Sequence, residues 1–202
     1  MARPAEANPQ ETMRRLVEVG LDLFAQRGYA GTSTRELAMA GHCSVSTINH
    51  YFGSKQGLYD SVVDHVYDRL RARGREALAG IVPTDTHVVM TAIYGVARAE
   101  RDGVRVLVRQ VLDHGRLTAH TEAKHFLPEI DKAAEIVANA VGVSNARARD
   151  ATVTLGYLLS RFVVQDDRSL VTAFGVRSAK EAHARVVNIL TTTARALLAS
   201  KE

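Results

Sequence analysis

The sequence has no tryptophan, four prolines, one cysteine and an aromatic content of only 5%. Each scarcity excludes something. A lone thiol, Cys43, closes no internal disulfide, so a disulfide-stapled secreted domain is excluded and a cytoplasmic setting is expected. So few prolines leave long stretches in which helices can run unbroken. No apolar run reaches the roughly 20 residues of a membrane span. The first apolar residues, from Met13 onward, are interrupted by Arg14, Arg15 and Glu18, so no secretory leader is read and no membrane partner is expected.

Catalytic signatures are missing too. There is no nucleophile elbow and no Cys-x-x-Cys, and the Gly-x-x-x-x-Gly spacings lack the Lys-Ser/Thr of a phosphate loop. No enzyme and no cofactor are expected. His114, His120 and His125 lie close in sequence, but no pair has the i, i+4 spacing that aims two imidazoles together from an α-helix. They are read as solvated or hydrogen-bonded histidines, and no metal is expected.

What is present is an alanine-, valine- and leucine-rich chain, 46% apolar and long enough to bury a core. Its net charge of +4 is compatible with nucleic acid. Residues 1–60, however, carry six Lys/Arg against six Asp/Glu, so charge gives no support to a DNA contact there.

Helical periodicity and capping residues predict an all-α fold. A polar tail, residues 1–9, precedes a helix over 11–27 with Leu16, Gly20, Leu23 and Phe24 on one face and Gly28 as its stop. Ser33-Thr34-Arg35-Glu36 reads as a capping box opening a short helix. A turn at Gly41-His42-Cys43 follows, then a second short helix capped by Ser44, then a long helix capped by Ser54. Pro83 marks the expected hinge. Further helices are expected at 85–100, 103–117 (capped by Asp102), 122–141, 145–166 and 179–199, the last opened by a capping box at Ser178 and Glu181. The stretch 167–177 reads as a loop with a helical turn at 170–174.

Residues 34–53 carry the functional signal. Leu37 and Ala38 face inward on the first short helix, and Ile48 and Tyr51 on the second, the spacing that two helices need to cross steeply over a short turn. The outer face of the second helix then presents Val45, Ser46, Thr47, Asn49 and His50, small or polar groups suited to a major groove.

The stretch 15–59 resembles the TetR (tetracycline repressor, AcrR-like) family of bacterial regulators. The resemblance rests on Leu21-Asp22-Leu23-Phe24, Gly28-Tyr29, Thr32, Arg35-Glu36-Leu37-Ala38, Ser44, Thr47, His50-Tyr51-Phe52, Ser54-Lys55 and Leu58-Tyr59. It implies that Ser33, Thr34 and Arg35 hold phosphates, and that Ser44, Val45, Ser46, Thr47, Asn49 and His50 face the groove. Tyr51 and Lys55 would reach further phosphates. The sequence departs from the family at three points. His42 stands where the turn usually has a glycine with positive φ, Ser46 replaces a common glycine, and Asn49 a common tyrosine.

The expected organisation is a helix-turn-helix head over 10–55, a connecting helix over 56–82, and a helical ligand-binding and dimerisation body over 83–202. Apolar stripes on 145–166 (Ala151, Leu155, Leu159, Phe162, Val163) and 179–199 (Ala182, Val186, Leu190, Ala194, Leu197) suggest a homodimer built on a four-helix bundle. Met90, Tyr94, Leu112, Phe126 and Tyr157 are candidate pocket liners, with Arg98, Arg109 and Arg161 as polar anchors. The expected function is a regulator of double-stranded DNA, a repressor released by a small apolar effector. The alternative is a ligand-independent regulator whose body only dimerises.

Overall fold

A computed structural model describes residues 8–199, and among these the secondary structure is helical throughout with no strand. Residues 1–7 of the expected tail lie outside the described residues. Asn8 and Pro9 do not belong to a tail: Asn8 caps α1 (Pro9–Arg27), its side chain accepting from the Gln10 amide, and Pro9 is the first helical residue. Gly28, with φ 73°, ends the helix as expected. Leu16, Leu21, Phe24 and Ala25 form the buried face, Leu23 being only half-buried. Gly20 lets α1 lie close against α4, since a β-carbon there would stand 2.9 Å from a Val62 methyl.

The head continues as α2 (Thr34–Ala40), α3 (Val45–Phe52) and α4 (Lys55–Leu78). Each start is capped by the serine the sequence offered. Ser33 Oγ accepts from the Glu36 amide, Ser44 Oγ from Thr47 and Ser54 Oγ from Gly57. The capping box at Ser33 is reciprocal, with the Glu36 carboxylate taking the Ser33 amide at 2.8 Å. These bonds hold the Glu36 carboxyl below the usual carboxylate range.

The body consists of α5 (Thr86–Ala99), α6 (Arg101–His114), α7 (Ala119–Thr121), a π-helical turn (Glu122–Phe126), α8 (Leu127–Val141), α9 (Asn145–Val164), α10 (Asp167–Phe174) and α11 (Ala179–Leu198). Four expectations change here. Asp102 is not the cap of α6; the helix starts at Arg101, and Asp102 sits in its first turn paired with Arg105. The segment around Leu170 is a full helix capped by Asp166, pinned by the fully buried Leu170. The Ser178 box is half-formed, because Glu181 reaches the Arg177 amide instead of that of Ser178. The expected 122–141 helix begins earlier and carries a π turn near its start.

Two apolar clusters fill the interior. One joins Leu16, Phe24, Leu37, Ile48, Leu58 and Val62, and extends to Val106 of α6. The other gathers Tyr94, Val104, Val163, Leu170, Val186 and Leu190. Polar contacts also cross from body to head. Arg109 donates to the carbonyls of Ala25 (3.1 Å) and Gln26 (3.0 Å), where the last turn of α1 leaves acceptors free. Buried Glu100 is held by Arg69 (2.8 Å) and Arg73 (2.7 Å) of α4, which supplies the pairing that a buried carboxylate needs.

Candidate nucleic-acid interface

The geometry of the α2–α3 pair begins with its buried side. Leu37 and Ala38 from α2 and Ile48 from α3 are packed with little or no exposure, and the Cys43 amide bonds to the Ala38 carbonyl at 2.9 Å. The turn between them needs one residue with positive φ. His42 supplies it at φ 49°, the only non-glycine in that region among the described residues. Histidine tolerates this conformation at some expense in energy. Cys43 is half-buried, and burial raises its thiol pKa, which opposes a reactive thiolate.

With Ile48 inward, Ser46, Asn49 and His50 are exposed, and Val45, Thr47 and Tyr51 half-exposed. Ser44 Oγ lies 2.6 Å from Ser46 Oγ and 2.9 Å from Thr47 Oγ1, a hydroxyl cluster at the N-terminal end of α3. Asn49 offers both a donor and an acceptor, the pattern that pairs with an adenine edge. The His50 and Tyr51 rings meet edge to face at 5.0 Å. At the start of α2, Ser33 and Arg35 are exposed and Thr34 is half-exposed.

Lys55 has an inward role. Its ammonium donates to the carbonyls of Tyr29 (2.9 Å) and Thr32 (3.0 Å) and lies 4.0 Å from the centre of the Tyr29 ring. Two of its three donors are therefore used to fasten the start of α4 to the loop after α1, leaving one for a phosphate.

The expected pocket liners fall into separate places. Met90 lines a cavity of about 380 Å³ walled by Ile93, Ile136, Val137, Leu155 and Ala194, with Thr86 and Thr152 as its polar liners. Leu112, Phe126 and Tyr157 line a second cavity of about 260 Å³ with Tyr67, Val108 and Ile130. Leu112 and Tyr157 stand 70% and 60% exposed at its mouth. Tyr94 and Arg98 line neither cavity. The Tyr94 hydroxyl meets His183 Nδ1 at 2.7 Å, and Arg98 donates to the carbonyls of Val163 and Gln165 while pairing with Asp167. Arg161 is exposed and also lines neither cavity. Arg109, which spacing offers as a pocket anchor, instead binds the end of α1, a partner that only the packed structure brings to it.

On α11 the residues expected at a partner surface, Ala182, Val186, Leu190 and Ala194, are buried within their own chain. The faces left outward are Ala184, Asn188, Thr192 and Ala196 on α11, and Thr154, Tyr157 and Arg161 on α9.

His120 and His125 are hydrogen-bonded, and both converge on Asp64 of α4, their Nε2 atoms 2.7 and 2.6 Å from its Oδ1.

Comparison with known proteins places the head. Residues 16–62 match the family model for bacterial regulatory proteins of the tetR family. The chain is 37% identical over 57 residues to the Bacillus subtilis protein named "Probable HTH-type transcriptional regulator YttP", covering 28% of each chain. It is 34% identical over 74 residues to the HTH-type transcriptional repressor Rv3405c of Mycobacterium tuberculosis, covering 36% of this chain and 39% of that one. The chain thus spans well under half the length of these curated relatives. Over nearly its whole length it shares a fold with the solved TetR-like transcriptional regulator from Rhodococcus sp. RHA1, at a TM-score of 0.67, 19% identity, and coverage of 98% and 100% of the two chains.

Proposed function

We propose that this chain, whose residues 16–62 match the model for bacterial regulatory proteins of the tetR family, works as a dimeric transcriptional regulator of that family and reads a two-fold operator through α3. One observation carries the reading: a short helix anchored by fully buried Ile48 turns Ser46, Asn49 and His50 outward together, beside a capped α2 whose Ser33 and Arg35 are also exposed. In this reading Ser44, Val45, Ser46, Thr47, Asn49 and His50 meet the major groove. Ser33, Thr34, Arg35, Tyr51 and the remaining donor of Lys55 hold phosphates. A dimer follows from the reach of one short helix, which contacts too few base pairs for specificity. Two heads about 34–36 Å apart occupy successive major grooves. The outward faces of α9 and α11 are the surfaces for the partner copy.

The finer reading is a repressor released by an uncharged, apolar small molecule. The larger cavity supports the ligand class, since its liners include no ionisable side chain. The smaller cavity, also lined mainly by apolar side chains, is where a molecule of this class would act on the head. It is walled by α6 residues Val104, Leu107, Val108, Val111 and Leu112, and α6 also sends Val106 into the head core and Arg109 to the end of α1. A ligand that shifts α6 would therefore act on the head directly, and only to the extent that it prefers one of the two arrangements.

The direct test is binding to the DNA upstream of the protein's own gene. Asn49→Ala and His50→Ala should each weaken specific binding by about 1–3 kcal/mol per lost base contact and leave nonspecific binding nearly unchanged. Equal losses on both DNAs would refute base reading by α3.

A further inference from the structure

We propose that Asp64, His120 and His125 form a binding site for a divalent transition-metal ion, most simply Zn²⁺. The three side chains come from three elements, α4, α7 and the π turn, yet their ligand atoms all lie within 4.8 Å of one another. The π turn is what makes this possible. His120 and His125 are five residues apart, which on an α-helix separates two side chains by roughly 140°. The turn at Glu122–Phe126, closed by the Leu127 amide on the Glu122 carbonyl, widens the helix locally and returns the fifth residue to the same side. Such turns recur at functional sites. Two imidazoles and one carboxylate are a donor set suited to zinc, nickel, cobalt or ferrous iron.

The surroundings hold the donors in place. The His125 ring, only 2% exposed, stacks on Tyr67 at 4.4 Å with an 8° tilt. Lys124 binds the other Asp64 oxygen at 2.7 Å. His120 and Asp64 remain about 30% exposed, which gives an ion access from solvent. Without an ion, both Nε2 atoms approach one oxygen at hydrogen-bond distance, and the state of His125 can be assigned. Arg71 has only donors and lies 2.9 Å from its Nδ1, so that nitrogen accepts and Nε2 carries the proton. Binding an ion at Nε2 requires the tautomer protonated at Nδ1, so this proton moves to Nδ1. Arg71 must then turn away from the ring, and it already has Glu129 at 2.5 Å and Asp68 at 3.2 Å to hold it. The ion would tie α4, the helix leading out of the head, to α7 and to the π turn that precedes α8. Tyr67 also lines the smaller cavity, so ion and ligand would share one wall.

The test uses the full chain without an affinity tag, stripped by a chelator and titrated calorimetrically with Zn²⁺ and, for visible spectra, Co²⁺. The expected result is one ion per chain, a raised melting temperature with Zn²⁺, and new visible bands with Co²⁺. His120→Gln and Asp64→Asn, both at partly exposed positions, should each weaken binding at least about tenfold while the metal-free variants keep the wild-type helical content. Absence of saturable binding, or equal binding by wild type and His120→Gln, would overturn the site and leave the cluster a hydrogen-bonded clasp. Because the titration reads the ion itself, its outcome is independent of whether the chain binds an operator.

Discussion

The head and the body are built from the same amphipathic helices but packed to different standards. In the head, Leu16, Leu37, Ile48, Leu58 and Val62 are fully buried around one cluster, and three consecutive helices begin at serine caps. The body encloses one tight cluster around Leu170 and Val186 but leaves two cavities beside it, with Leu112, Ile136 and Tyr157 largely exposed. A surface that must present fixed atoms to a groove tolerates little play, because a close-packed interior resists deformation. A region that accommodates a guest needs unfilled volume, and unfilled volume means lost dispersion contacts. The difference between the two regions is therefore a difference in how much packing each gives up.

Truncating a side chain in each region tests this most strongly. Ile48→Ala should lower the unfolding free energy by about 2–5 kcal/mol and abolish operator binding. Ile136→Ala, at a 53% exposed cavity wall, should change stability by less than about 1 kcal/mol. Equal losses in denaturant midpoint at constant slope would erase the distinction. A smaller effect is expected at the seam between α1 and α4. Lys55→Ala leaves the Tyr29 and Thr32 carbonyls without their donor and should destabilise by about 1–2 kcal/mol. The slope of log affinity against log salt should fall by at most about one unit; a normal melting temperature with a reduced slope would mean the ammonium serves DNA alone.

The head should also be the acid-sensitive part of its own capping. Glu36 is held below the usual carboxylate range by the Ser33 amide and hydroxyl. A folded-state pKa below the unfolded one means that its contribution is complete above the unfolded value and is lost as pH falls through the folded one. Glu36→Gln should therefore flatten the acid limb of the head's stability curve, as followed by hydrogen exchange in α2; an unchanged limb would assign the acid sensitivity elsewhere. The smallest effect is expected from His42→Gly. His42→Gly should shift stability by less than about 0.5 kcal/mol, since relief of the positive φ is offset by chain entropy. His42→Val should lower it by about 1–2 kcal/mol, because a β-branched residue fits that conformation poorly. Equal effects of the two would remove backbone strain from the account.

The helices and caps of the head are legible in the sequence because their signals are local. Ser33 and Glu36, or Ser44 and Thr47, lie within one turn of each other, so sequence spacing alone fixes whether they meet. The same logic located Gly28 as a helix stop and the turn at His42 as the unusual point. It failed where partners are distant. Asp102 looks like a cap, but Glu100, buried against Arg69 and Arg73 some thirty residues earlier, sets where α6 begins. Arg98 looks like a pocket anchor, yet it is occupied by the end of α9 and by Asp167. The apolar stripe of α11 gave no sign of whether a partner copy or its own chain would cover it.

The sequence by itself determined the all-helical class, the positions of the caps and the typed surface of α3, because these depend on contacts within a turn or on a periodicity of 3.6. Only the tertiary structure decided that α6 reaches into the head, that Met90 lines one cavity while Leu112, Phe126 and Tyr157 line another, and that His120 and His125 share one carboxylate. The i, i+4 rule excluded that last pair because it assumes α-helical geometry. One π turn moves the fifth residue onto the first residue's side, and Asp64 on a different helix completes the cluster.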